Sequence, residues 1–202
     1  MLVFDIETEG LDASKHAVTI VCTENYFTGQ KTAYEFARHP EQRLQLLQAL
    51  IVAFDEATSL SAFNGVRFDI PFLQQAFGID HGTVQAWICK TSDILEQCRL
   101  RTGETFKLDM ICKLNGLVGK SADGLQAIAM AQEGRFDELR DYCADDVSLL
   151  CRLYAKRLVM NPRSKKEIDL QQYAHPLLYT EDLCEGTTED ARPRHLLPDL
   201  CN

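Results

Sequence analysis

The sequence opens with Met1-Leu2-Val3-Phe4-Asp5-Ile6-Glu7-Thr8, and the reading of this stretch decides the fold. Its apolar, partly β-branched residues predict a strand with a place near the centre of a sheet. Successive side chains on a strand point to opposite faces, so Asp5 and Glu7, two apart, share one face. Two carboxylates side by side repel unless a cation or a proton separates them. Apolar neighbours sharpen that conflict, and a divalent-metal site would resolve it. A strand end emerging into water, with both acids solvated, would resolve it equally. The Asp-x-Glu pair alone does not decide between them.

Outward from this strand, His16–Thr23 and Gln30–Phe36 alternate and carry β-branched or aromatic residues, which predicts two further strands joined by a turn at Gly29. Pro40–Phe54 has leucine and alanine at helical spacing. Ser59–Phe63 reads as a short strand, Asp69–Phe77 as a helix and Val84–Cys89 as a strand. Leu95–Leu100 and Leu108–Leu114 suggest short helices. Asp137–Leu158 is the most periodic segment, with Leu139, Tyr142, Asp146, Leu149 and Leu153 on one stripe. Strands first, then helices alternating with strands, imply an α/β protein with a mixed central sheet flanked by helices. The expected domain spans 1–159. Residues 160–202 are polar, acidic and punctuated by proline, and read as an appendage, partly docked or disordered.

The chain has 202 residues, 46% hydrophobic and 25% charged, enough for one domain with its own core. Its apolar runs fall short of the ~20 residues that cross a bilayer, and no membrane association is expected. Eight cysteines include no Cys-x-x-Cys pair, and no histidine pair has zinc spacing, so free thiols are expected. With no leader-like segment at the start, this points to a reducing, intracellular location, the cytoplasm with the nucleus as the other option. The net charge of −9 argues against a general polyanion binder. Residues 167–202 hold eight acids and two bases, a net −6, which leaves −3 for 1–166. Two bound divalent cations would make the latter positive.

Two more sites carry candidate chemistry. Asp69 follows a predicted strand at the mouth of a helix, in Asn64-Gly65-Val66-Arg67-Phe68-Asp69-Ile70-Pro71-Phe72-Leu73. Helix capping alone would account for it. Tyr142 and Asp146 lie one turn apart on the periodic helix, on the stripe that should enter the core. An aspartate there is costly unless it meets a cation. Asp145 lies about 100° round the helix, on the solvated side.

In order, these three motifs resemble those of the DEDD superfamily of 3′–5′ exonucleases, which share the ribonuclease H-like fold. The wording is closest to the proofreading exonuclease domain of family B DNA polymerases. Phe4-Asp5-Ile6-Glu7-Thr8 is similar to its first motif, Asn64-Gly65-x-x-Phe68-Asp69-Ile70-Pro71-Phe72-Leu73 to its second, and Tyr142-Cys143-x-x-Asp146 to its third. Tyr142, four before Asp146, matches the tyrosine branch, whereas the histidine branch would place its histidine at the position of Asp141. The resemblance covers 1–158 and includes no polymerase domain.

The resemblance implies two Mg²⁺ or Mn²⁺ ions held by four carboxylates. Asp5 would bridge both, Glu7 and Asp146 would complete the first, and Asp69 would hold the second. Tyr142 would orient the attacking water, and the product would be a nucleoside 5′-monophosphate. Thr8, Leu11, Asn64 and Phe68 are the candidate nucleic-acid contacts, although core packing is the competing reading for Phe68 and Phe72. Lys156, Arg157, Arg163, Lys165 and Lys166 form a basic cluster that would grip phosphates or simply sit at a helix end. Single-stranded DNA is the expected substrate, with RNA, or a catalytically silent interaction module, as alternatives. A polymerase or a replication or repair protein is an expected partner.

Overall fold

In the computed structural model, residues 1–118, 124–159 and 167–169 are described. Strand β1 (Leu2–Thr8) pairs antiparallel with β2 (Val18–Asn25), which pairs antiparallel with β3 (Lys31–Tyr34). A 3-10 turn at Pro40–Gln42 leads into helix α1 (Arg43–Glu56). Strand β4 (Leu60–Ala62) then returns parallel to β1. Two helices, α2 (Asp69–Phe77) and α3 (His81–Cys89), precede β5 (Thr91–Asp93), which is parallel to β4. Helices α4 (Ile94–Thr102), α5 (Leu108–Leu114), α6 (Gly124–Gln132) and α7 (Phe136–Tyr154) follow. The sheet order is β3-β2-β1-β4-β5, a mixed sheet with β1 at its centre.

Alternation along β1 builds both layers. Phe4 and Ile6 enter a core with Leu50, Phe54, Ile70, Leu73 and Trp87 of α1, α2 and α3. Val3 enters the opposite core with Leu139, Tyr142, Cys143 and Val147 of α7 and with residues of α4, α5 and α6. Asp5 and Glu7 have the parity of Val3 and therefore face α7. In the first layer the Phe4 and Phe54 rings stand 4.8 Å apart, and Trp87 donates its indole N–H to Asp55 at 2.7 Å.

The expected helix at Asp69–Phe77 has the same bounds as α2, and that at Leu108–Leu114 the same as α5. Two expectations are corrected. Val84–Cys89 is part of helix α3, not a strand. The Asp80 carboxylate caps it by accepting the Thr83 N–H at 2.9 Å, and burial falls on Val84 and Trp87, three apart, while Ala86 is exposed. The strand comes next, at Thr91–Asp93. The last long helix ends at Tyr154 rather than Leu158, because Arg157–Val159 forms β6 and pairs antiparallel with β7 (Glu167–Asp169). Apart from β7, the acidic segment 160–202 lies outside the described residues, as do Arg163, Lys165 and Lys166. Lys156 donates to the Asn115 carbonyl at 3.0 Å, a helix-end contact. Among the described residues no helix is long and apolar enough to cross a membrane, and Cys22, Cys89, Cys143 and Cys151 are free thiols.

Candidate active site

Strand pairing places the first two acids. Asp5 stands opposite Cys22, and Glu7 opposite Ile20, on the antiparallel ladder with β2. Helix phase places the next two residues. Tyr142 and Asp146 are both buried on the α7 face that packs on β1 and β2, while Asp145 is exposed. The Cys143 thiol contacts the Asp5 carbonyl oxygen at 3.6 Å, and Ser148 donates to Glu24 of β2 at 2.8 Å, so α7 is pinned to the strands on both sides of Asp146. Burial pushes the Cys143 thiol well above its ordinary pKa, with Cys22 and then Asp5 and Glu7 adding to it. It therefore stays a neutral thiol beside the acids.

One carboxylate oxygen each from Asp5, Glu7 and Asp146 lies within 4.8 Å of the others. Hard oxygen donors gathered at this spacing fit Mg²⁺ or Mn²⁺ and are unsuited to soft metals. Asp69 stands outside that triangle but within electrostatic reach of Asp5. Only 3% of it is exposed, and its carboxyl is raised well above the usual carboxylate range by burial, then by Asp5, then by Asp93. The capping position of α2 belongs to Phe68, and the backbone N–H groups of Ile6 and of Asp69 itself oppose that rise by favouring the ionised carboxylate. That Ile6 amide is within reach because β4 ends at Ala62, with its pairing to β1 confined to Leu2 and Val3. Asp69 thus faces β1 from the β4 side, and Asp146 faces it from α7.

A cleft of about 400 Å³ lies over these acids. Asp5, Glu7, Asp69 and Tyr142 line it, together with Thr8, Leu11, Asn64 and Phe68, so the structure gathers the expected nucleic-acid contacts around one opening. The two phenylalanines part ways. Phe72 is buried, whereas Phe68 is half-buried on the cleft wall with its ring 5.5 Å from that of Phe72. Asn64 has φ +68, the left-handed region that asparagine tolerates better than most residues. Gly65 follows because a Cβ there would sit 2.4 Å from the Ala62 Cβ and 3.2 Å from the Phe4 ring.

Sequence reasoning missed the opposite wall. Gly124, Leu125 and Ile128 of α6 line the cleft, and Leu125 is 75% exposed there, as Leu11 is 85% exposed on the other lip. The apolar residues from Leu125 to Ala131, with Leu125 and Ile128 three apart, are the signal that could have revealed α6. Asp93 was also missed. Its signal was an aspartate three residues ahead of Glu96 at the start of an apolar run.

Residues 2–158 match the family model of the RNase_H superfamily. No curated protein sequence matches the chain. Among solved structures, a family B DNA polymerase from the hyperthermophilic archaeon Pyrobaculum calidifontis superposes with a TM-score of 0.57 at 17% identity, over 75% of this chain and 23% of the polymerase. The chain thus spans less than a quarter of that protein. A nuclease solved in its apo form gives a TM-score of 0.50 at 20% identity, over 86% of this chain and 77% of the nuclease. At these identities the structures speak for the fold, and the sequence match over 2–158 speaks for the family: the chain belongs to the RNase H superfamily.

Proposed function

We propose that the protein is a metal-dependent 3′–5′ exonuclease of the tyrosine branch, acting on single-stranded DNA and releasing nucleoside 5′-monophosphates. The observation that carries this reading is the convergence of Asp5, Glu7 and Asp146 within 4.8 Å, beside a cleft lined by Asp5, Glu7, Asp69 and Tyr142. Asp5, Glu7 and Asp146 would hold one divalent ion, and Asp69 with Asp5 a second. When bound, such ions lower the pKa of water and stabilise the departing 3′-oxygen. The residues do the remainder. Tyr142, buried on α7 and facing the cleft, orients the water that attacks the phosphorus as the P–O3′ bond breaks. Thr8 and Asn64 offer polar groups to the terminal nucleotide, and Leu11 and Phe68 offer apolar surface to its base. Glu7 and Asp146, both buried, stay in place because strand and helix fix them before any ligand arrives.

The test is hydrolysis of single-stranded DNA and RNA of matched sequence, labelled at the 5′ end, with Mg²⁺, Mn²⁺ or EDTA. The expected result is a ladder shortening from the 3′ end, release of mononucleotides, faster loss of DNA and no reaction in EDTA. Faster loss of RNA would reassign the substrate. Activity that survives EDTA would refute the chemistry.

A further inference from the structure

Asp93 ends β5 with no exposed surface, and its carboxylate accepts four backbone N–H groups. Oδ1 takes Leu95 at 3.0 Å and Glu96 at 3.2 Å, which caps α4, and also takes Asn64 at 3.0 Å. Oδ2 takes Val66 at 3.0 Å. The Asn64 and Val66 amides belong to the loop between β4 and α2, twenty-seven or more residues away in sequence. Glu96, one turn into α4 and buried, adds a second tie: it binds the Arg67 guanidinium of the same loop through one oxygen and Arg99 through the other. The loop feeds directly into α2. The Asn64 carbonyl accepts the Phe68 N–H at 2.9 Å, and the Gly65 carbonyl accepts the Ile70 N–H at 2.8 Å, on either side of Asp69.

We propose that Asp93 is a positioning residue. From the N-cap of α4 it holds the 64–68 loop, and thereby sets where Asn64, Phe68 and Asp69 stand against β1. This inference rests on the metal-dependent reading of the site. Capping alone does not require it. Asp80 caps α3 with bonds to Thr83, three residues ahead, whereas Asp93 spends two of its four bonds on a distant loop. Groups that orient a metal ligand from behind typically change metal affinity or activity by ~10–100-fold when removed.

The experiment uses the full chain stripped with EDTA and titrated with Mn²⁺, read first by the rise in Tm without nucleic acid and then by kcat and KM on single-stranded DNA. Asp93→Asn leaves one acceptor oxygen for four donors. Asp93→Ser can still cap α4 but is too short to hold the loop. Both should raise the half-saturating Mn²⁺ concentration by ~10–100-fold and lower kcat, and KM for the strand should rise as well because Asn64 and Phe68 move with the loop. Asp80→Ser is the matched control, and should lower Tm with an unchanged Mn²⁺ midpoint. If both Asp93 variants fail to fold, Arg67→Ala, which leaves Glu96 paired with Arg99, must shift the Mn²⁺ midpoint in the same direction. Folded Asp93 variants with a wild-type midpoint, or an unmoved Arg67→Ala midpoint in their place, overturn this inference alone. A wild-type protein whose Tm ignores Mn²⁺ overturns the functional reading as well.

Discussion

Replacing Asp5 with asparagine should stabilise the protein in EDTA and remove its response to metal. Asp5 shares the 4.8 Å triangle with Glu7 and Asp146 and also raises the pKa of Asp69, so it is the acid that the other three feel in common. At an effective dielectric of about 20, two full charges 4.8 Å apart repel by about 3.5 kcal/mol. Protonation and the half-exposed setting of Asp5 take up part of that, so relief of about 2–3 kcal/mol is expected. For a chain of this size that corresponds to a Tm about 4–12 °C higher. The pH dependence has a definite sign. Because its folded pKa is raised, Asp69 gives up its proton at a higher pH in the folded state than in the unfolded chain, where it titrates near 3.8. Stability from this group is therefore greatest below that pH and falls as pH rises towards the raised folded pKa. Asp5→Asn should flatten that fall, because the Asp5 charge is the second cause of the shift. Wild-type protein at a metal concentration of about 100 Kd should gain about 2.7 kcal/mol, and the variant far less. Thermal unfolding between pH 5 and 8, in EDTA and in Mn²⁺, measures all of this. A variant that melts below wild type in EDTA and gains the same increment from Mn²⁺ would refute the carboxylate-repulsion argument.

Three further outcomes follow from the geometry. Asp146→Asn should cost several orders of magnitude in kcat while Asp145→Asn, on the exposed side of α7, stays near wild type; steady-state hydrolysis in Mn²⁺ compares them, and the reverse order would mean that the helix phase is wrong. Tyr142→Phe should lower kcat by ~10²–10³ through loss of one preorganised hydrogen bond, with an unchanged Mn²⁺-induced rise in Tm. Asn64→Gly should keep the stability that Asn64→Ala loses, by about 1 kcal/mol, because φ at this position is +68; if the asparagine side chain also contacts the strand, Asn64→Gly will be stable yet raise KM.

Three of the acids were legible in the sequence because they sit where a simple period operates. Asp5 and Glu7 follow the two-residue alternation of β1, and Asp146 and Tyr142 follow the helical stripe of α7, with Asp145 left to solvent. What was hidden was hidden by polarity. Thr91, Ser92 and Asp93 are all buried, yet none reads as a core residue. Each has its partner inside the fold: Thr91 donates to the Trp87 carbonyl at 2.7 Å, Ser92 meets the Tyr154 hydroxyl at 3.1 Å, and Asp93 takes its four amides. A strand of three residues also offers no alternation to detect. The nearby run from Val84 to Cys89 absorbed the strand expectation, since a short apolar run fits either period until its cap is seen.

The four carboxylates are therefore not held in place equally. Asp5 and Glu7 are fixed by the ladder to β2, and Asp146 by a nineteen-residue helix packed on β1 and β2. Asp69 alone depends on a loop, one residue of which has a left-handed backbone and which relies on Asp93 for two of its amide bonds. Its carboxyl is also raised well above the usual carboxylate range, by burial and by two neighbouring carboxylates. A ligand that must both deprotonate and be held by a loop is the one whose occupancy responds most to pH and to distant substitution. On this reading the Asp5–Glu7–Asp146 triangle is a preformed site, and Asp69 is the conditional partner through which changes in the 64–68 loop or in α4 reach the chemistry.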